Sequence, residues 1–246
     1  MNPSLRNGRQ AGKACWAVIP AAGGSTRMGA DRPKQYLPLA GKTVIKHVLD
    51  RFSRHPMIAG IVVALAADDE YWDDLSRPRD KPFFAVKGGA ERHLSVLNAL
   101  YRLKEIAEPR DWVLVHDAAR PCLRAADLDR LINLVLDHPV GGILGVPVSD
   151  TLKRVDEQGN VVLGTISRER MWRALTPQMF RLTELTAAIE RAMRDGVAIT
   201  DESCAMEHVG LRPRIVEGCA DNIKITTPGD LALADLYLRR QMQEER

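Results

Sequence analysis

A run of small and basic residues near the amino terminus is the segment best suited to binding a phosphorylated ligand. It follows the apolar residues 16–19, which predict a buried strand, and it begins after Pro20. Small side chains let backbone N–H groups approach a bound anion closely. The small residues are Ala21, Ala22, Gly23 and Gly24, and the basic residues that follow are Arg27, Arg32 and Lys34. Several cations beside such a loop suit a triphosphate, so the segment predicts a nucleotide site at the carboxyl end of a first parallel strand.

Two common glycine-rich templates do not match this segment. The glycine spacing is that of a P-loop, but Ala30 and Asp31 replace its Lys and Ser/Thr. A dinucleotide fingerprint beginning at Gly23 fails because Ser25 stands at its second glycine position. An ordinary strand-to-helix turn with solvated charges is the alternative, and the clustering of cations favours the phosphate site.

Asp117 is the second candidate, because it follows the apolar segment 112–115 closely. A carboxylate at the end of a buried strand, facing a basic triphosphate loop, is suited to Mg²⁺. The alternative is that it caps the following helix. Another polar segment either surrounds a base or ribose or forms an ordinary turn before a helix; its residues are Gly88, Gly89, Arg92 and Ser95.

Further polar residues are not explained by packing. His116 is interpreted as a hydrogen-bonding group at a strand end rather than as a base, because nucleotidyl transfer relies on positioning and charge neutralisation. The others are Thr151, Lys153, Arg154, Arg168, Thr176, Gln178, Thr200, Asp201, Glu202 and Lys224. Lys153 and Arg154 either have a functional role or are simply solvated charges on the surface of a hairpin.

Alternating strands and helices must position these side chains. The predicted strands cover 16–19, 58–66, 83–86, 112–115, 142–148, 214–216 and 223–225. The predicted helices cover 44–52 with Thr43 as cap, 68–75, 91–106, 126–136, 182–194, 200–209 and a last helix opened by Thr227 and Pro228. The alternation predicts an α/β fold with a doubly wound, mainly parallel sheet. The loops 21–34, 88–95 and 116–121 then meet at one edge of that sheet.

The pattern changes after Asp150. Segments 151–155 and 161–166, separated by a Gln-Gly-Asn turn, predict a β-hairpin. An isolated hairpin is marginally stable, so this one must pack on the body or on a second subunit. We therefore expect residues 15–246 to form one domain with a β-arm over about 148–170, preceded by a disordered extension over 1–14.

The composition is typical of a soluble globular protein. The 246 residues include 35 basic and 32 acidic side chains, a net charge of +3 that gives no reason to expect nucleic-acid or membrane partners. The polar amino terminus lacks the apolar core of a signal peptide. The scattered cysteines, typical of reduced thiols in the cytoplasm, are Cys15, Cys122, Cys204 and Cys219.

Seven blocks carry a resemblance over nearly the whole chain. In order they read PAAGGSTRMG…PKQY, GGAERHLSV, VHDAARPC, VSDTLKR, WRALTPQMF, TDESCAME and ADNIKIT. Together they closely resemble the 2-C-methyl-D-erythritol 4-phosphate cytidylyltransferase family of the non-mevalonate isoprenoid pathway. The resemblance implies a Rossmann-like nucleotidyltransferase fold, a homodimer formed through the β-arm, and Mg²⁺-dependent transfer of a cytidylyl group from CTP to methylerythritol phosphate.

The resemblance also implies roles for individual residues. The expected catalytic residues are Arg27, Lys34, Arg168 and Lys224, and Asp117 is the expected metal ligand. The expected CTP-binding residues are Ala21, Ala22, Gly23, Gly89, Ser95 and Ala118. The expected substrate-binding residues are Arg120, Thr151, Thr176 and Thr200, with Thr151 and Arg168 contributed by the partner's arm. Ala90 and Thr26 depart from the family pattern, so a base contact and a phosphate contact are in question there.

Other functions stay open at this point. A related cytidylyltransferase acting on another polyol phosphate, such as ribitol 5-phosphate, shares the first block and HDAARP. A non-catalytic nucleotide-binding module is disfavoured because the cations and Asp117 occur together. An NAD-dependent oxidoreductase is disfavoured by the failed glycine fingerprint.

Overall fold

The computed structural model describes residues 14–23, 32–76 and 81–244. The strands are β1 (Cys15–Pro20), β2 (Pro38–Leu39), β3 (Lys42–Thr43), β4 (Ile58–Leu65), β5 (Phe83–Lys87), β6 (Trp112–Val115), β7 (Gly141–Pro147), β8 (Leu152–Val155), β9 (Val162–Ile166), β10 (Trp172–Arg181) and β11 (Arg214–Glu217). The α-helices are α1 (Val44–Arg54), α2 (Arg92–Ile106), α3 (Ala125–Val135), α4 (Leu182–Arg194), α5 (Glu202–His208) and α6 (Pro228–Glu244). A short 3-10 helix covers Lys34–Tyr36.

The central sheet has seven strands in the order β11-β7-β10-β6-β1-β4-β5. β1 runs parallel to β4 and β6, β4 runs parallel to β5, and β7 runs parallel to β11. β10 is antiparallel to both of its neighbours, β6 and β7. The predicted doubly wound, mainly parallel sheet is therefore confirmed.

Helices cover both faces of this sheet, because successive side chains of a strand point to opposite sides. In β1, Ala17 and Ile19 enter a core shared with α1 and α3, whereas Trp16 and Val18 enter a core shared with α2, α4 and α5. Burial on both faces explains why β4 is a continuous apolar run, with every residue buried.

The parallel strands bring the predicted loops to one edge. The loops after β1, β5 and β6 leave the carboxyl ends of parallel strands, as the sequence predicts, with β6 beside β1 and β4 between β1 and β5. A hairpin, β8 with β9, forms a separate antiparallel pair, and its turn places Gly159 at a φ of 73°. In the described part of the chain, no helix is long and apolar enough to cross a bilayer.

Residues 68–75 form turns, so the helix predicted there is wrong. The Asp69 carboxylate accepts the backbone N–H groups of Tyr71 and Trp72, each at 3.0 Å. A short acidic side chain that binds its own backbone in this way competes with helix formation. At α1, Thr43 does occupy the predicted cap position, but its buried Oγ1 finds no hydrogen-bond partner among the described residues.

The strand predicted over 223–225 is also wrong, and β10 was not predicted. Ile225 N–H donates to the carbonyl of Ala119 at 2.8 Å, which is a loop contact rather than part of a sheet ladder. β10 runs from the exposed arm into the core and contains Pro177, so neither alternation nor a continuous apolar run marks it as one strand.

Candidate functional site

A cleft at the carboxyl edge of the sheet brings most of the predicted site residues together. It is lined by Ala21, Ala22, Gly23, Lys34, Gly89, Ser95, Asp117, Ala118 and Lys224. These residues come from the loop after β1, the 3-10 helix at Lys34, the loop between β5 and α2 with the first turn of α2, the turn after β6 and the segment before α6. Arg27 lies in the segment 24–31, outside the described residues.

Two glycines allow the loops beside β1 and α2 to approach each other. A Cβ added to Gly88 would lie 2.4 Å from the Cβ of Ala22, and one added to Gly89 would lie 2.3 Å from the Cβ of Leu94. Gly89 N–H donates to Ser95 Oγ at 3.0 Å. Close packing therefore requires both glycines, and it fixes the loop that forms this wall of the cleft.

Asp117 lies at the base of the cleft and is surrounded by cations. Its side chain is 8% exposed. Oδ1 accepts a hydrogen bond from Arg92 Nε at 2.8 Å. Oδ2 lies 3.0 Å from Lys224 Nζ and 3.3 Å from Arg120 Nε. This arrangement leaves positive charge in excess around one buried carboxylate.

The charges of the cluster lower the pKa of Asp117 and raise the pKa of Arg92. Burial alone would raise the pKa of Asp117, but Arg92, Lys224 and Arg120 outweigh it and hold that pKa far below its usual range. Burial disfavours the charged form of Arg92 and so would lower its pKa, but the nearby carboxylates of Glu202 and Asp117 outweigh this effect and raise the pKa above its usual value. Asp117 is therefore an anion at neutral pH, and Arg92 is a cation.

The turn after β6 is held from below by His116 and Thr176. His116 Nε2–H donates to the Arg120 carbonyl at 3.0 Å, and the Thr176 hydroxyl donates to Nδ1 at 2.9 Å. Thr176 Oγ1 also accepts the N–H of Asp117 at 3.2 Å. Burial lowers the pKa of His116 to about 4. A neutral, hydrogen-bonded ring matches the interpretation of His116 as a strand-end group.

The segment before α6 is tied to the same turn. Arg120 Nη1 donates to the carbonyl of Asn222 at 2.8 Å, and Asn222 Nδ2 donates to the carbonyl of Thr176 at 2.8 Å. The Asn222 side chain is fully buried. These bonds place Lys224 beside Asp117, which explains why two sequence blocks so far apart contribute to one site.

Comparison with known proteins identifies the family. The model of the 2-C-methyl-D-erythritol 4-phosphate cytidylyltransferase family matches residues 15–240. The chain belongs to this family. A cytidylyltransferase of that name from Pseudomonas aeruginosa is 58% identical over 219 residues, which cover 89% of this chain and 93% of the relative. Another, from Hahella chejuensis, is 50% identical over 230 residues, covering 94% and 95% of the two chains.

Solved structures agree with this family. A crystal structure of 4-diphosphocytidyl-2C-methyl-D-erythritol synthase aligns with a TM-score of 0.79 at 36% identity, covering 92% of this chain and 99% of that one. The Francisella tularensis 2-C-methyl-D-erythritol 4-phosphate cytidylyltransferase aligns with a TM-score of 0.78 at 36% identity, covering 91% and 99%.

Three residues expected in the cytidylyltransferase site lie apart from the Asp117 cluster. Thr151, Arg168 and Thr200 are exposed, and within the described chain they are not part of the cleft lining. Arg168 Nη1 donates to the carbonyl of Ser149, at the base of the hairpin. One chain therefore presents these groups toward its surroundings rather than into its own cleft.

Sequence reasoning missed the link between Arg92 and Glu202. The sequence assigns Arg92 a possible contact with a base or ribose and gives no role to Glu202. In the structure, the Arg92 guanidinium donates to both Glu202 oxygens, at 2.7 and 3.1 Å. Both residues lie in the quoted sequence blocks, but their separation of 110 positions gives no local signal of pairing.

The donor set of the cleft fits Mg²⁺ bound together with a triphosphate. Within the described ranges, no group of three or more His, Cys, Asp or Glu side chains could hold a metal ion. Mg²⁺ at nucleotide sites uses one or two carboxylates, with phosphate oxygens and water completing its shell, so Asp117 alone is sufficient. The neighbouring Lys224 side chain is 40% exposed, so it can move away from Oδ2.

Proposed function

We propose that this chain transfers the cytidylyl group of CTP to 2-C-methyl-D-erythritol 4-phosphate. The products are 4-(cytidine 5'-diphospho)-2-C-methyl-D-erythritol and pyrophosphate, in isoprenoid precursor biosynthesis. The supporting observation is the buried Asp117 carboxylate, which Arg92, Arg120 and Lys224 surround beside a loop of small residues, in a member of this family.

The chemistry requires charge neutralisation more than proton transfer. An oxygen of the methylerythritol phosphate attacks the α-phosphorus of CTP. The bond from that phosphorus to the bridging oxygen breaks, and pyrophosphate leaves with the electron pair. A phosphate oxygen is already anionic near neutral pH, so a protein base is not needed. The barrier comes from negative charge crowding at phosphorus, which fixed cations relieve.

Each predicted residue has a place in this proposal. Arg27 and Lys34 stabilise the transition state, and Arg168 and Lys224 position the attacking phosphate. The cytidine nucleotide is bound by Ala21, Ala22, Gly23, Gly89, Ser95 and Ala118. The methylerythritol phosphate is bound by Arg120, Thr151, Thr176 and Thr200. Because the Thr176 hydroxyl already supports Asp117, part of its effect is to order the turn.

We assign Mg²⁺ to Asp117 and the phosphate oxygens of CTP. When bound, the ion supplies positive charge that offsets the triphosphate. Asp117 contributes an ionised carboxylate, since its cationic neighbours keep its pKa low. Asp117 would hold the ion through Oδ2, and Lys224, which contacts that oxygen at 3.0 Å, would bind the second substrate's phosphate instead.

We further propose a homodimer formed through the hairpin. Val161, Val162 and Leu163 on the hairpin are 56%, 58% and 62% exposed, which favours burial against a partner. Thr151 and Arg168, which flank the hairpin strands, would then enter the partner's cleft. The reaction is placed in the cytoplasm, because the four cysteines are unpaired.

Pyrophosphate release tests the proposed function. The protein is incubated with CTP and methylerythritol phosphate, and separately with ribitol 5-phosphate and other polyol phosphates. ATP, GTP and UTP replace CTP in matched reactions, and Asp117→Asn serves as the inactive control. We expect release with CTP and methylerythritol phosphate. Release only with another polyol phosphate, or with none, refutes the assignment.

A further inference from the structure

We infer that Glu202 is a positioning residue: through Arg92 it orients the Asp117 carboxylate and keeps that guanidinium away from Oδ2, the oxygen that would bind the divalent cation accompanying CTP. This inference rests on the proposed function, because both the cation and CTP belong to it.

Glu202 holds Arg92 with both of its oxygens. The Glu202 side chain is 1% exposed, and its Oε1 and Oε2 accept Arg92 Nη1 and Nη2 at 2.7 and 3.1 Å. A two-point contact between a planar guanidinium and a carboxylate fixes orientation as well as distance. The plane of the Arg92 guanidinium is therefore held in one orientation.

Arg92 transmits that orientation to Asp117. With both Nη groups committed to Glu202, the Nε–H remains and donates to Asp117 Oδ1 at 2.8 Å. Without Glu202, the fork of Arg92 could turn and take both oxygens of Asp117 as a bidentate pair. Glu202 thus prevents Arg92 from joining Lys224 and Arg120 at Oδ2, which those two residues contact at 3.0 and 3.3 Å.

Glu202 is itself held in place from both sides. The preceding residue, Asp201, caps α5 and accepts Gln178 Nε2 at 2.8 Å, and the following residue, Ser203, donates its N–H to Gln178 Oε1 at 2.8 Å. Gln178 lies opposite Val115 in the β10–β6 ladder, two residues before Asp117. The positioning contacts therefore begin at β6 and end at Asp117, in the turn that follows this strand.

The test compares Glu202→Gln with Glu207→Gln on the same helix. Glu207 is exposed and accepts the hydroxyl of Ser203, so it is a matched control outside the cluster. Enhancement of water proton relaxation by Mn²⁺ reports the ion on the protein and gives the affinity for Mn²⁺·CTP. Calorimetry with CTP in EDTA gives the affinity of the nucleotide without metal.

We expect Glu202→Gln to weaken Mn²⁺·CTP binding about 10- to 100-fold, as for residues that orient metal ligands, with metal-free CTP affinity little changed. Glu207→Gln should match the wild type in both measurements. If Glu202→Gln fails to fold by circular dichroism, Arg92→Lys replaces it, because lysine lacks the planar fork that binds both Glu202 oxygens while a third N–H donates to Asp117.

Two results would overturn the inference. One is unchanged Mn²⁺·CTP affinity in Glu202→Gln; the other is an equal loss of affinity with and without metal, which marks a structural role alone. A wild-type protein that releases no pyrophosphate refutes the proposed function instead, so the two failures are distinguishable.

Discussion

Lys34 is the described lysine closest in sequence to the small-residue loop, and the 3-10 helix that it begins holds it there. The next residue, Gln35, donates its side-chain N–H to the carbonyl of Ala21 at 2.8 Å. In the proposed reaction, a cation held in this way would stabilise the charge that develops at the α-phosphorus without reorganising. We expect Lys34→Ala to lower kcat by about 10²- to 10³-fold, or roughly 2.7–4 kcal/mol, with a smaller change in the KM for CTP.

Steady-state kinetics checks this prediction, with Lys104→Ala as control. Lys104 lies on α2, and its Nζ is 3.9 Å from Glu190, so its removal takes away a lysine of the outer surface. Near-normal kcat in Lys34→Ala removes Lys34 from the transition state. A loss confined to the KM for CTP makes it a binding residue only.

At this scale the sequence was sufficient to select side chains but not their partners. Asp117 was selected because it follows a buried strand, and Lys224 because it stands in a polar segment that packing does not explain. Their separation of 3.0 Å depends on Asn222, which links its own segment to β10, a strand that was not predicted. Contacts of this kind follow from the tertiary fold rather than from local composition.

In β7, close packing leaves no room for a side chain at Gly142. A Cβ added to Gly142 would lie 2.7 Å from the carbonyl oxygen of Arg214 and 2.7 Å from Val135 Cγ2. The backbone of the neighbouring strand can move away only at a large cost in energy. Gly142→Ala should therefore lower the free energy of unfolding by about 1–3 kcal/mol. Urea denaturation measures the change.

Gly229→Ala on α6 is the matched control, since its nearest neighbour for an added Cβ is Thr227 Oγ1 at 3.9 Å. Alanine in a helix is intrinsically favoured over glycine, so that variant should be as stable as the wild type or more so. Equal stability of Gly142→Ala and the wild type contradicts the close approach of β7 and β11.

α1 carries a buried histidine that should make stability depend on pH. His47 is 7% exposed, and its Nε2–H donates to the carbonyl of Leu39 at 2.8 Å. Burial lowers the pKa of His47 below 6.5. Below that pH the unfolded chain binds a proton that native His47 does not, so the free energy of unfolding falls as the pH falls, by at most about 1.4 kcal/mol per pH unit.

Urea denaturation of the wild type and His47→Gln at pH 7.5, 6.5 and 5.5 measures this linkage. The variant is less stable at pH 7.5 because it loses packing. The difference in free energy of unfolding between the two proteins should shrink toward pH 5.5, because only the wild type has the buried histidine whose unfolded form gains a proton as the pH falls. A constant difference across this range contradicts the lowered pKa of His47.

Elements with one uniform environment could be predicted from the sequence. β6 was predicted with its exact bounds, 112–115, because its four residues are apolar and buried on both faces. β10 could not, since its first three residues are exposed on the arm and its later ones lie in the core. Apolar periodicity fails where one strand crosses from solvent to the interior.

The whole molecule must bring together two anions that repel each other, and its topology separates the groups that hold them. The strand order places the small residues after β1 and Asp117 at one edge of the sheet. Thr151 and Arg168 extend from the body with the hairpin, so a single chain does not place them in its own described cleft. A site built from two chains resolves this separation, because each arm would supply the partner's second-anion contacts.

Mixing two inactive variants tests the shared site. In a heterodimer of Lys34→Ala and Arg168→Ala, one cleft carries both defects and the other carries neither. Equal mixing after exchange of subunits makes about half of the dimers heterodimers, so about a quarter of the wild-type activity should return. Each variant alone should keep only its residual activity and serves as control, and light scattering checks whether both are dimers. If the mixture recovers nothing although exchange is demonstrated with labelled chains, each site is complete within one subunit, and Arg168 must reach the cleft of its own chain.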